Sequence, residues 1–321
     1  VKLVAVDIGG THARFALAEV EGGRVTALSD AVTMKTAEHA SFETAWEDFG
    51  SMSGGTLPPI AAIAIAAPVR DETIKLTNSP WIIRPGLIGE TIGVERHLLI
   101  NDFEAVGHAV AQAEARHFVH LCGPDVPLPD AGTMSVVGPG TGLGVAHVWR
   151  GGDDYRVQPT EGGHIDFAPL DAIEDAILAR LRARYRRVSA ERVVSGPAIV
   201  DIYQTLAAIE GRAIRQLDDT ATWQLGMSGE DSLAAAAVDR FCLALGSVAG
   251  DLTLAQGGVA TVIAGGLGLR LRETLKRSGF AERYRAKGRF ETLMAGLPVK
   301  LITHPQPGLF GAAAAFARAF T

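Results

Sequence analysis

The chain holds 321 residues, 47% hydrophobic and 21% charged, with a formal net charge of −6. That length suits one large or two ordinary domains, each with a substantial core. The acidic balance excludes a general nucleic-acid binder, which carries a basic stripe, and disfavours an anionic membrane surface as partner. The two cysteines, Cys122 and Cys242, form neither a disulfide framework nor a zinc cluster. Cys242 lies in an apolar stretch and reads as a small buried hydrophobe. No leader-like segment precedes the first apolar run, and the longest such run, 60–69, is about half a membrane span. The expectation is a soluble protein of the reducing cytoplasm.

The first hundred residues read as strands with one clear helix. The apolar run 3–8 predicts a buried strand. Residues 13–20 fit either a strand or a helix period; a strand gives a hairpin across Gly9-Gly10. Residues 24–33 continue the sheet after the Gly22-Gly23 turn. Ser41 is an N-cap for a helix to Met52, with Phe42, Ala45, Trp46 and Phe49 at helical spacing. Further strands are expected at 60–67, stopped by Pro68, at 73–76 before a turn Thr77–Trp81, and at 97–100. A helix is expected at 104–115. Three prolines in 124–129 mark a loop. A second unit then begins, with strands on either side of a glycine turn (133–149) and a helix at 170–185 ending in arginines that read as a solvated face. A long Ala-rich helix (231–256), strands at 261–264 and 299–303, and a terminal helix at 309–320 complete the chain. The strand–turn–strand pattern at 3–20 and 134–149 is a faint internal repeat, suggestive of duplicated halves.

The chemistry concentrates in a few clusters. Asp7-Ile8-Gly9-Gly10-Thr11 and Gly138-Pro139-Gly140-Thr141-Gly142-Leu143-Gly144 each follow an apolar strand. Glycine admits positive φ and close approach of backbone to ligand, threonine adds a hydroxyl, and free N–H groups in such a turn receive phosphate oxygens. Six lysines occur, none in either turn, so phosphate held there depends on backbone amides and a metal ion instead of a P-loop lysine. A strand after the second turn also argues against a Rossmann strand–turn–helix. Each turn alone reads equally as a tight hairpin with no ligand. Asp7 is either a turn cap or a carboxylate that orients Mg²⁺ through water. Asn101-Asp102, after the strand 97–100, is either a helix N-cap or a catalytic carboxylate at a strand end. Glu161-Gly162-Gly163-His164 has the spacing to bond several hydroxyls of one small polyol, against the structural reading of a lone histidine. Glu191 is uninformative by itself.

In combination these segments carry a resemblance. Asp7 to Arg14, Ile100-Asn101-Asp102-Phe103, Gly138 to Gly144, Glu161 to Pro169 and Ser189 to Gly196 occur in the order found in bacterial glucokinases. The chain closely resembles that family, of the hexokinase-like ATPase superfamily with the actin-type fold. The likeness runs on through Ile263-Ala264-Gly265-Gly266 to Pro307-Gly308-Leu309-Phe310-Gly311.

The resemblance implies an α/β, two-domain actin-like ATPase (ribonuclease H-like) fold with a central cleft, divided as 1–112 plus 303–321 and 113–302. It implies ATP and Mg²⁺ as cofactors and phosphorylation of glucose at its 6-hydroxyl, the entry step of glycolysis, by a cytoplasmic homodimer. Asp102 is then the general base, and Asn101, Asp102, Glu161, His164 and Glu191 hold the sugar. Asp7, Gly9, Gly10, Thr11, Gly140, Thr141 and Gly142 hold phosphates, with Asp7 toward Mg²⁺ and Gly265 and Gly266 near the adenosine. His12 departs from the asparagine common in the family, leaving its contact open. Sugar kinases of the ROK group are the nearest alternative, but they carry a cysteine-rich zinc motif after a Glu-x-Gly-His segment. Here Ile165-Asp166-Phe167-Ala168-Pro169 follows, and neither cysteine is close. A kinase for another hexose or amino sugar and a non-catalytic sugar sensor are the competing functional readings.

Overall fold

Strands with apolar residues at every position need cover on both faces, and the first sheet of this computed structural model is built that way. Residues 1–76 and 79–320 are described. The sheet comprises β1 (Lys2–Ile8), β2 (His12–Glu21), β3 (Arg24–Leu28), β4 (Val32–Lys35), β5 (Ile60–Ile65) and, beyond the two-stranded ribbon β6 (Ile74–Lys75) and β7 (Ile82–Ile83), β8 (Arg96–Asn101). Its order is β3-β2-β1-β5-β8, with β4 pairing β2. β1 and β2 are antiparallel, which settles residues 13–20 as strand, whereas β1, β5 and β8 run parallel. The expected turn at Thr77–Trp81 begins on Thr77 and Asn78, which lie outside the described residues.

Alternation along β1 assigns its two faces. Val4, Val6 and Ile8 join Phe15, Ile63, Ile65 and the helix Phe42–Met52, whose Phe42, Trp46 and Phe49 are buried. Ser41 caps that helix in a capping box with Thr44. Leu3 and Ala5 join Ala16, Ala62, Ala64 and the terminal helix Pro307–Phe320, through Leu309, Ala312, Ala313 and Phe316. The terminal helix also packs on the helix Asp102–Gln112, whose start is two residues earlier than the periodicity suggests because Asn101 caps it. Val1–Glu114 and His304–Thr321, with Val157–Pro159, form one compact unit.

The second unit, Ala115–Arg156 with Thr160–Thr303, repeats the plan. Its strands are β9 (Phe118–Cys122), β10 (Ala131–Pro139), β11 (Leu143–Gly151), β12 (Asp154–Thr160), β13 (Ala260–Ile263) and β14 (Val299–Ile302). They are ordered β12-β11-β10-β13-β14-β9. β10 and β11 form a hairpin, β10, β13 and β14 run parallel, and β9 adds an antiparallel edge. Leaving out β9, the connectivity is that of β1-β2-β3-β5-β8 in the first sheet, so the faint repeat in the sequence corresponds to two sheets of one topology. The helix Ser232–Ala255 is long and apolar enough to cross a membrane by length and composition, a feature the count of unbroken apolar residues passes over. Its Leu233, Val238, Phe241, Leu245 and Val248 lie in this unit's core, with Cys242 buried among them. Helices Ala198–Ile209 and Asp219–Ser228 were not expected, and the helix expected at 170–185 runs Ala172–Arg182 behind an Asp171 cap.

Candidate active site

In the first unit the chemistry lies along the C-terminal edge of the parallel strands. Asp7 is the penultimate residue of β1, and the hairpin register sets Arg14 opposite it. Their ion pair spans 3.3 Å, with the Asp7 side chain 20% exposed. Burial pushes the Asp7 carboxyl above its ordinary value, and Arg14 pulls it back down. Gly308, in the first turn of the terminal helix, passes so close that a Cβ there would sit 2.6 Å from Asp7 Oδ2.

The adjoining turn is tied by its carbonyls. The Gly9 N–H donates to the His12 carbonyl at 2.9 Å, and Thr36 donates its hydroxyl to the Gly10 carbonyl at 2.9 Å and its N–H to that of Thr11 at 3.0 Å. His12 therefore closes the turn through its main chain. The Gly10 and Thr11 amides donate to nothing among the described residues, which leaves them for an anion. Gly9, Gly10, Gly140 and Gly142 all avoid positive φ, against the expectation for these turns, and of Gly9, Gly140 and Gly142 only Gly142 has a neighbour that a Cβ would crowd among the described residues.

At the end of β8, the capping reading of Asn101-Asp102 falls to Asn101. Asn101 Oδ1 accepts the N–H groups of Phe103 and Glu104 at 2.9 and 3.3 Å, and its amide donates to the Ala67 carbonyl at 3.3 Å. Capping therefore occupies Asn101. The Asp102 carboxyl accepts the Phe103 N–H at 2.8 Å and is also held by its own N–H and the Asn101 side chain. Burial, then the neighbouring charge of Asp7, push its carboxyl up to about 6 against those hydrogen bonds.

The second unit gathers the other candidates around the β10–β11 turn. The Gly140 N–H donates to the Gly142 carbonyl at 2.8 Å, while the Thr141 and Gly142 amides donate to nothing among the described residues. A Cβ on Gly140 would meet open space. Glu191 reaches in, its Oε2 accepting the Leu143 N–H at 3.0 Å, and a Cβ on Gly142 would lie 2.5 Å from that oxygen. Gly163 packs on the same residue, where a Cβ would come 2.1 Å from the Leu143 carbonyl. This contact brings the 161–164 loop to the turn. Glu161 and His164 point toward each other, Oε2 to Nε2 3.8 Å, and both are well exposed.

Gly265 alone of the candidate glycines needs positive φ (+80°), and it starts the helix Gly265–Arg270 hard against the Pro139 carbonyl. Gly266 faces open space.

Arg187 escaped the sequence reading because it sits at the end of an arginine run. It donates to the His164 carbonyl at 2.6 Å and pairs with Asp166 at 2.6 Å. The Ala190 N–H donates to the Ile165 carbonyl at 2.8 Å, so residues 187–191 and 161–167 are laced into one support. Elsewhere in the run, Arg184 pairs with Asp201 at 2.5 Å.

A family model described as Glucokinase matches residues 3–319. The chain is 57% identical over 320 residues to a glucokinase of Zymomonas mobilis subsp. mobilis, covering 100% of this chain and 99% of that one. It is 37% identical over 316 residues to a glucokinase of Paramagnetospirillum magneticum, covering 97% and 96%. The crystal structure of a glucokinase from an Antarctic psychrotroph superposes with a TM-score of 0.86 at 31% identity, covering 98% of each chain. The fold is accordingly the two-domain actin-like ATPase fold, one α/β sheet to each unit. A likeness that spans both sheets and almost every residue puts the chain in the glucokinase family, the enzymes that phosphorylate glucose with ATP.

Proposed function

We propose that this chain transfers the γ-phosphoryl group of MgATP to the 6-hydroxyl of D-glucose, with Asp102 as the general base. The observation that carries the assignment is the Asp102 carboxyl, half-buried at the start of a helix at the C-terminal end of a parallel strand, with its basicity raised to about 6. A carboxylate so placed accepts a hydroxyl proton more readily than a solvated one. Phosphoryl transfer passes through a loose transition state, so orientation and charge neutralisation supply most of the catalysis.

The remaining roles follow the chemistry of each group. The free amides of Gly10, Thr11, Thr141 and Gly142 receive phosphate oxygens. Gly265 and Gly266, where β13 gives way to a helix, leave room for the adenosine. Glu161, His164 and Glu191 bond sugar hydroxyls, and Asn101, which sets the backbone from which Asp102 acts, joins them as a sugar ligand. Each hydrogen bond to a charged group contributes roughly 1.5–3 kcal/mol, and a mismatched epimer leaves such a group unpaired at similar cost.

Asp7 fits Mg²⁺ as a single carboxylate that shares the ion with water and phosphate. No cluster of three or more acidic, histidine or cysteine side chains exists among the described residues, which accords with so sparse a site. The ion, when bound, neutralises charge on the transferring phosphate. We further propose that the working domains are 1–112 with 303–321 and 113–302, in a cytoplasmic homodimer.

A coupled ADP-release assay with glucose, mannose, fructose, galactose and N-acetylglucosamine tests the substrate. Turnover with glucose should exceed that with the other sugars by at least tenfold in kcat/KM, the effect of about 1.4 kcal/mol. Preference for any other sugar on the panel defeats the glucose assignment.

A further inference from the structure

The segment 191–196 holds the β10–β11 turn at both ends. Glu191 Oε2 accepts the Leu143 N–H at 3.0 Å. Five residues on, the Gly196 N–H donates to the Gly140 carbonyl at 2.7 Å, and the Gly196 carbonyl is fixed by the Trp223 indole N–H at 2.9 Å. Trp223 itself is buried in the core and stacks edge-on against Phe241. The turn between Gly140 and Leu143 is thus held by a rigid support at one end and, at the other, by one ionisable side chain beside the packing of Gly163 on Leu143. Room for that side chain exists because residue 142 lacks a Cβ.

A carboxylate has two oxygens, and only Oε2 is committed to the turn. We propose that Glu191 couples the sugar to the nucleotide: Oε1 takes a sugar hydroxyl while Oε2 holds the phosphate-binding turn in shape, so that each ligand favours the other's binding. This rests on the sugar and phosphate roles assigned above. Any movement of the carboxylate toward a sugar hydroxyl is transmitted to the Leu143 amide over one hydrogen bond. Glu191 is then a positioning residue for the nucleotide as well as a sugar ligand. Binding linkage is reciprocal, so the coupling is readable from either side.

The test is isothermal titration of MgADP with and without glucose, and of glucose alone, for the wild type, Glu191→Ala, Gly142→Ala and His164→Ala. In the wild type, glucose should tighten MgADP. Glu191→Ala should weaken glucose and also weaken MgADP in the absence of sugar, each by about tenfold, the effect of losing one charge-assisted hydrogen bond. It should also abolish the mutual enhancement. Gly142→Ala displaces the carboxylate without altering its chemistry and should reproduce the loss of MgADP affinity and of coupling. His164→Ala, which makes no side-chain contact with the turn, should weaken glucose alone.

If Glu191→Ala weakens glucose but leaves sugar-free MgADP binding and the coupling intact, the link is refuted while the sugar site stands. If neither Glu191→Ala nor His164→Ala alters glucose binding, the site assignment itself fails. Should Glu191→Ala not fold, judged by circular dichroism, Gly142→Ala decides: unchanged MgADP affinity in that variant overturns the proposal.

Discussion

Asp102 works against the stability of the protein that carries it. Its folded carboxyl is raised from 3.8 to about 6 by burial and by Asp7. The folded state therefore binds this proton more tightly than the unfolded chain. The favourable contribution is complete below 3.8 and is lost as pH rises through about 6. The gap between 3.8 and about 6 corresponds to a cost of about 3 kcal/mol at neutral pH. Asp102→Asn keeps the shape and removes the charge, so it should melt several degrees higher than the wild type at pH 7.5. The two proteins should converge toward pH 4, as followed by calorimetry. The same variant should lose roughly 10²–10⁴-fold in kcat while still binding glucose measurably. A base must be ionised to act, so log kcat/KM of the wild type should fall with unit slope as pH drops below about 6. A profile flat to pH 5, or near-normal turnover in the variant, removes Asp102 from the role. Sequence alone left capping and catalysis as alternatives for Asn101-Asp102, because the two roles require the same residue types at the same place. Hydrogen-bond partners identify Asn101 as the cap, and the variant and the pH profile decide the role of Asp102.

Elements were legible where burial wrote an unbroken or periodic apolar pattern. β1, β5 and the helix Phe42–Met52 are of that kind, and both β-hairpins were readable from their glycine turns. β12 (Asp154–Thr160) was not, being polar and proline-containing as an edge strand can be. The helix Ala198–Ile209 starts behind Pro197 with no side-chain cap, so the Ser, Thr, Asp or Asn start signal is missing, although Ile199, Ile202, Tyr203 and Leu206 are buried at helical spacing. Contacts that join distant segments left no local trace either. Glu191 reads as any surface glutamate until Gly142 is seen to make room for it, and Arg187 as part of a solvated run until it meets the His164 carbonyl. The same holds for the two helices at the Asp102 edge. A Cβ on Gly311 would lie 1.7 Å from the Ala105 carbonyl, so the terminal helix approaches the helix Asp102–Gln112 backbone to backbone. Gly311→Ala must force the helices apart. Overpacking of this severity should cost about 3 kcal/mol or more, read as a lower urea midpoint, and should lower kcat by shifting the helix that begins at Asp102. Unchanged stability would show that the two helices have slack.

At the scale of the whole chain, two sheets of one connectivity are joined so that the first unit is finished last. Its strands come from residues before Glu114, but the helix covering one face of its sheet, Pro307–Phe320, is reached only after the entire second sheet has been traversed. Leu309 and Phe316 of that helix are fully buried. Together they contribute roughly 3–6 kcal/mol of hydrophobic stabilisation, before the alanine-lined contact with β1 and β2 is counted. A domain's net stability is about 5–15 kcal/mol, so loss of this helix should unfold the first unit. The second unit has its own core, built on the helix Ser232–Ala255, and depends on none of these residues. A chain ending at Thr303 should therefore show protease cleavage concentrated before Glu114 and a resistant fragment extending from about Ala115 onward. It should also show no glucose-dependent ADP release, since Asp102 and the Gly9-Gly10-Thr11 turn lie in the part that unfolds. Turnover retained by the truncated chain would mean that the strands before Glu114 hold their fold without the helix. That would contradict the burial of Leu309, Ala312, Ala313 and Phe316 as the source of the first unit's stability.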